Sequence, residues 1–96
     1  MSNLLHKVYS KSREFPWQTI NGETIIIDPR EQTSFELNEV GSIVWNLTDG
    51  DQTVASIKDK LLETYEVSPE ELNADLQEIY QDLEASGLIQ QVAEES

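Results

Sequence analysis

Cysteine is absent from this chain, cations are scarce, and there is one histidine. Without thiols there is no disulfide framework, no thiolate nucleophile and no thiolate metal site. His6 stands alone in a polar N-terminal stretch, so neither a Cys–His pair nor a His-based metal site can be assembled. No Gly-rich phosphate loop occurs. Apolar runs such as Ile25 to Ile27 are strand-sized, far below the roughly 20 residues of a membrane span. The N-terminal MSNLLHKVYSKSREF lacks the apolar core of a secretion signal. These absences predict a cytoplasmic protein that holds no cofactor or metal and is not an enzyme by itself.

The shortage of cations also excludes a class of partner. Six Lys/Arg face 19 Asp/Glu, a net charge of −13 over 96 residues. Lys7, Lys11, Arg13 and Arg30 lie early, Lys58 and Lys60 follow, and the stretch from Leu61 to Ser96 has no base. A nucleic-acid binder needs cations that replace phosphate counterions. Either the acidity serves solubility alone, or it biases the protein toward basic or neutral partners. The length fits one domain with one modest core.

What is present is punctuation. Thr33 to Gly50, TSFELNEVGSIVWNLTDG, reads as a short alternating strand running into a capped amphipathic helix. Phe35 and Leu37 share one face and Ser34 and Glu36 the other. Asn38 supplies the N-cap for a helix from Glu39 to Leu47, with Val40, Ile43, Val44 and Leu47 on its apolar side. Upstream, Phe15 to Asn21 reads as a first strand, Asn21-Gly22 as a tight turn, and Glu23 to Asp28 as a second strand. Asp28 to Gln32 turns the chain into the third strand, Thr33 to Leu37. That strand comes last in the meander, so it is a candidate sheet edge, where unpaired backbone groups can take up another chain.

The remainder reads as helical. Thr53 caps a second helix with Val54, Ile57, Leu61 and Tyr65 on one face. Ser68, Pro69 and Glu71 start a third, whose apolar face is Leu72, Leu76, Ile79 and Leu83 and whose stop is Gly87. Leu88 and Ile89 form a short extended segment. Trp45, Trp17 and Phe15 read as core or sheet-face residues. Tyr80 sits beside the third helix's stripe, suited to a groove wall or to partial burial, and Asp75 flanks the stripe on the other side. The fold class is α+β: a three-stranded antiparallel meander packed on a three-helix winged helix-turn-helix unit. The organisation is a flexible segment over 1–14, a domain over 15–89 and a flexible tail over 90–96. The helix pattern invites a DNA-binding reading. The third helix, however, displays Glu70, Glu71, Asp75, Glu78, Asp82 and Glu84, which a phosphate-lined groove would repel. Asp49-Gly50-Asp51 lacks the spacing of a twelve-residue calcium loop.

The run Gly-Glu-Thr-Ile-Ile-Ile-Asp, a turn, Phe-Glu-Leu-Asn-Glu-Val-Gly-Ser-Ile-Val-Trp-Asn-Leu, Asp-Gly, Thr-Val-Ala-Ser-Ile, Leu62 to Tyr65, Asp75-Leu76 and Gly87-Leu88-Ile89 resembles the coenzyme PQQ synthesis protein D family. The likeness covers roughly Phe15 to Ile89. It implies a non-catalytic module that recognises the leader segment of a ribosomally synthesised, post-translationally modified peptide precursor. Such a module presents that leader to a modifying enzyme or leader peptidase, with no nucleic acid or membrane involved. The resemblance also implies the site. The leader adds a strand to Thr33, Ser34, Phe35, Glu36 and Leu37, and Leu72, Asp75, Leu76 and Ile79 form the opposite wall. A lasso-peptide pathway with a separate peptidase fits at least as well as cofactor biosynthesis. The competing readings are a chaperone for a PQQ-type cofactor, an interaction subunit with no leader, and a degenerate winged-helix regulator.

Overall fold

The computed structural model describes residues 4–92. Asn21 and Gly22 both take positive φ, 53° and 81°, as required by a two-residue hairpin turn whose twist matches its strands. The turn joins β2 (Trp17–Ile20) to β3 (Glu23–Asp28). The next turn is organised by the Asp28 carboxylate, which accepts from the backbone N–H groups of Arg30 and Glu31 at 3.0 and 3.2 Å. It delivers the chain to β4 (Thr33–Leu37), and the antiparallel order is β2-β3-β4. Alternation sets the faces: Thr24 and Ile26 are buried, and their cross-strand partners Leu37 and Phe35 are half-buried.

Three helices follow, the first of them packed on β3 and β4, and each starts where a side chain captures a free N–H. Asn38 accepts from Gly41 N to open α1 (Glu39–Leu47), Thr53 from Ser56 N to open α2 (Val54–Thr64), and Ser68 from Glu71 N to open α3 (Pro69–Ala85). Gly87, at φ 77°, closes α3, and the Leu88 N–H reaches back to the Leu83 carbonyl at 3.0 Å. The core runs from Ile26 through Val44, Trp45, Ile57, Leu61, Leu72, Leu76, Tyr80 and Leu83 to Leu88 and Ile89. Among the described residues no helix is long and apolar enough to cross a membrane.

Two expectations need correction. Strand β2 is shorter than 15–21, because Phe15 turns into the core and Pro16 has no N–H to contribute to a ladder. The second concerns the flexible segments. Residues 4–14 of the segment over 1–14 are structured. Leu4–His6 forms a 3₁₀ turn, and β1 (Tyr9–Lys11) pairs antiparallel with β5 (Ile89–Gln91), which also orders the start of the tail over 90–96. Residues 1–3 and 93–96 lie outside the described residues. The sequence admits some strand around Lys7 to Tyr9, but hydrophobic periodicity does not give its pairing, because the partner lies at the other end of the chain.

The arm is held by side chains as well. The Lys11 ammonium donates to the Thr48 carbonyl at 2.8 Å, at the C-terminal end of α1. It lies 5.3 and 5.7 Å from the Trp17 and Trp45 ring centroids, so helix dipole and aromatic faces both favour the cation. Burial lowers its pKa, opposed by nearby Asp49.

Tyr9 stacks on Tyr80 at 5.0 Å between centroids. The Thr48 hydroxyl donates to the Val44 carbonyl at 2.6 Å, so in its 3.2 Å bond with Tyr80 the phenol is the donor. Burial pushes the Tyr80 phenol up to about 12, partly offset by Thr48 and reinforced by Tyr9. A folded-state pKa above the unfolded value of about 10 gives stability that is intact below pH 10 and lost as pH climbs toward 12. The expected outcome is a fall of about 2–3 kcal/mol across that window in urea melts. Tyr80→Phe should flatten much of the slope, and an equal slope in that variant would assign the loss to other groups.

Candidate functional site

The hydrogen-bond phase of the sheet decides which backbone groups of β4 are free. Backbone N–H groups alternate sides along a strand. The Ile27 N–H donates to the Pro16 carbonyl at 2.8 Å, toward β2. The Thr24 N–H points the other way, toward the β4 end, where it donates to the Ser42 hydroxyl at 2.8 Å. That hydroxyl in turn donates to the Leu37 carbonyl at 3.1 Å, so Ser42 is inserted between the two strands at the end of their ladder. Even-numbered residues of β3 therefore face β4. Their partners Thr33, Phe35 and Leu37 face β3, and the N–H and C=O groups of Ser34 and Glu36 point outward. No strand lies beyond β4 in the sheet, and the side chains of Ser34 and Glu36 are exposed.

Immediately after this edge the chain enters α1. Gly41 lets it do so closely, since a Cβ there would stand 3.2 Å from Asn38 Oδ1 and 3.4 Å from Leu37 Cβ. The first turn of α1 then faces the middle of α3 across a cleft of about 230 Å³ lined by Asn38, Val40, Asp75, Glu78 and Ile79. Val40 and Ile79 are half-buried apolar residues, whereas Asp75 and Glu78 are exposed carboxylates. The cleft joins an apolar floor to an anionic rim, next to an open row of backbone donors and acceptors.

Larger clefts lie elsewhere. One of about 520 Å³ runs along Ser10 to Glu14 with Gln90. Another of about 360 Å³ lies over Thr19, Gly22, Ile43, Asn46, Leu47 and Tyr65. Neither is lined by β4, Asn38 or α3. Among the described residues no group of three or more His, Cys, Asp or Glu is placed to hold a metal ion.

The anticipated site residues separate into three sets. Thr33 to Leu37 form the edge strand. Asp75 and Ile79 line the adjoining cleft. Leu72 and Leu76 lie inside, 3% and 0% exposed, and support α3 from behind. A helical apolar stripe has two borders, and sequence alone does not say which one rolls inward. In α3 the stripe Leu72–Leu76–Tyr80–Leu83 went into the core, which turned Ile79 and Glu78 toward the cleft. Tyr80 is accordingly a core residue. Asn38, Val40 and Glu78 were not anticipated here. Asn38 and Val40 read as a cap and a core position, and only their place directly after the edge strand hints at more.

A family model described as coenzyme PQQ synthesis protein D matches residues 23–89, from the start of β3 to the start of β5. The fold is similar to that of a solved structure, TbiB1 in complex with the TbiA(beta) leader peptide, with a TM-score of 0.77 at 24% identity over 88% of this chain and 99% of that one. No curated protein matches the sequence.

Proposed function

The chain belongs to the coenzyme PQQ synthesis protein D family, and on that premise we propose that it is a non-catalytic adaptor. It captures the leader of a ribosomally synthesised, post-translationally modified peptide precursor and presents it to a modifying enzyme or leader peptidase. The observation that carries this reading is the outward backbone row of Ser34 and Glu36, opening beside the Val40–Ile79 cleft. TbiB1, whose fold this chain shares, was solved with a leader peptide bound.

Strand addition supplies affinity through main-chain hydrogen bonds and specificity through pockets for alternate side chains. A free leader is disordered, and ordering it opposes binding. Apolar anchors offset that cost. Burying two Leu- or Ile-sized side chains in the cleft contributes about 3–6 kcal/mol. The wall residues are Ile79 and Asp75, with Val40 and Glu78 beside them, while Leu72 and Leu76 hold α3 in place. A separate leader peptidase, as in lasso-peptide pathways, is the partner this reading favours.

The test is fluorescence anisotropy of the labelled leader from the precursor encoded beside this chain's gene, at low and high salt. Saturable binding at or below about micromolar, near −8 kcal/mol, is expected, and a scrambled leader should not bind. No binding by the folded protein would shift the reading to an interaction subunit without a leader.

The carboxylates of Asp75 and Glu78 imply a leader that is neutral or basic opposite α3. Asp75→Asn should weaken a basic leader about two- to fivefold at low salt and have little effect at high salt. Equal affinities for the two proteins at both salts would remove Asp75 from recognition.

A further inference from the structure

The outer face of the sheet carries a feature that leader capture does not use. In Glu23–Asp28 the run Ile25-Ile26-Ile27 crosses the sheet with period two. Ile26 is fully buried, yet Ile25 and Ile27 stand on the opposite face, 39% and 47% exposed. Three consecutive isoleucines are the pattern of a strand covered on both faces, and here only one face is covered. Ile20, 50% exposed on β2, lies diagonal to Ile25 through its pairing with Glu23. With Trp17, these are the exposed large hydrophobics among the described residues. Trp17 belongs to the inner face, edge-on to Trp45 at 5.9 Å. The three isoleucines form one stripe. Contiguous exposed apolar surface with a polar border marks an interaction site more often than chance packing.

The border identifies the partner's chemistry. The cross-strand neighbour of Ile25 on β4 is Glu36, that of Ile20 is Glu23, and that of Ile27 is Ser34. The stripe therefore has an acidic border. The nearest cation in the sheet connections, Arg30, is engaged with Glu14 at 2.8 Å. A second copy of this chain would set Glu23 and Glu36 against their like on a molecule of net charge −13, which opposes self-docking. The stripe is also continuous with the capture edge. Ser34 and Glu36 send their side chains onto this face and their free backbone groups toward the incoming strand. A leader strand paired with β4 would thus extend the same surface.

We propose that the outer sheet face, through Ile20, Ile25 and Ile27 with Glu23 and Glu36 at its border, is the docking surface for the enzyme that acts on the captured precursor. That enzyme would contribute an apolar patch bordered by Lys or Arg. The proposal rests on the adaptor reading for its partner and adds the surface on which the partner sits.

The probes are the modifying enzymes and peptidases encoded beside this chain's gene, each purified and titrated against labelled protein at low and high salt. The variant is Ile25→Thr/Ile27→Thr, which keeps β-branched residues in β3. Binding of one such enzyme, weakened at least tenfold in the double variant and weakened by salt, with leader affinity changed less than twofold, is the expected result. Ile20→Thr, at the end of an edge strand, should weaken the same complex and guards against a folding defect in the double variant. Undiminished enzyme binding by both variants overturns the proposal. So does failure of every enzyme to bind the native protein, or a concentration-dependent dimer in sedimentation velocity that the double variant abolishes. Enzyme binding without leader binding would sink the adaptor reading and leave the docking face standing.

Discussion

Glu36→Pro should abolish leader capture while leaving the domain folded. The Glu36 N–H points away from β3, so proline removes no bond of the native sheet. Its fixed φ is tolerated on an edge strand, and its bias on the preceding residue favours the extended state that Phe35 already holds. The incoming strand loses a main-chain bond and must leave its own carbonyl unpaired against the ring. The combined cost is about 2–3 kcal/mol, a tenfold to hundredfold loss of affinity. Glu36→Ala, which keeps the backbone donor, should bind within severalfold of the native protein. Phe35→Pro should instead unfold the sheet, because its N–H faces Ile26. The measurement is leader anisotropy alongside far-UV CD for all three. Native-like binding by folded Glu36→Pro would mean that the leader does not pair with this edge, and the other edge strand, β2, would become the place to look.

Deleting residues 1–11 should unfold the protein. The arm reads as polar, loosely ordered sequence, but it places Leu4 and Tyr9 in the core at 8% and 3% exposure. Its backbone carbonyls at Lys7 and Tyr9 accept from Val54 N and Gly50 N, both at 2.9 Å, which ties it across the α1–α2 connection. Its strand covers the edge of β5. Tyr9→Ala alone should cost about 3–5 kcal/mol. A domain of this size has only about 5–14 kcal/mol in total. The deletion adds the loss of Leu4, of the Lys11 bond to α1 and of the β1–β5 pairing, and so exceeds that margin. Urea melts followed by far-UV CD give the answer. A truncated chain melting within about 1 kcal/mol of the full one would show the arm to be an accessory.

The local grammar of the chain was legible where cause and effect are near neighbours. Asn21-Gly22 fixes its own backbone, and Asn38, Thr53 and Ser68 each capture an N–H three residues on. The bounds of β3, β4 and α1 follow from such signals. The candidate site was half legible. Thr33 to Leu37 could be recognised as a candidate edge strand, and the resemblance pointed to Leu72, Asp75, Leu76 and Ile79 as the opposite wall. Leu72 and Leu76 could not be separated from Ile79, because all three fall within one helical stripe, which Asp75 flanks. In the N-terminal arm some strand was legible around Lys7 to Tyr9, but its pairing was not, since that lies with residues about 80 positions away: Tyr9 with Gln91, Lys11 with Ile89.

By itself, then, the sequence determined the kinds of element, their caps and turns, the acidic character of α3 and the lack of a thiol or a histidine pair for chemistry. Each of these is set within a few residues or by composition. The tertiary structure decided the outward phase of Ser34 and Glu36, the inward roll of Tyr80, the order of the arm and the exposure of Ile25 and Ile27. Each of those depends on which distant surface packs against the element. A period of 2 or 3.6 tells that a face exists, but only the partner packed on it decides which face is covered and which stays open to bind.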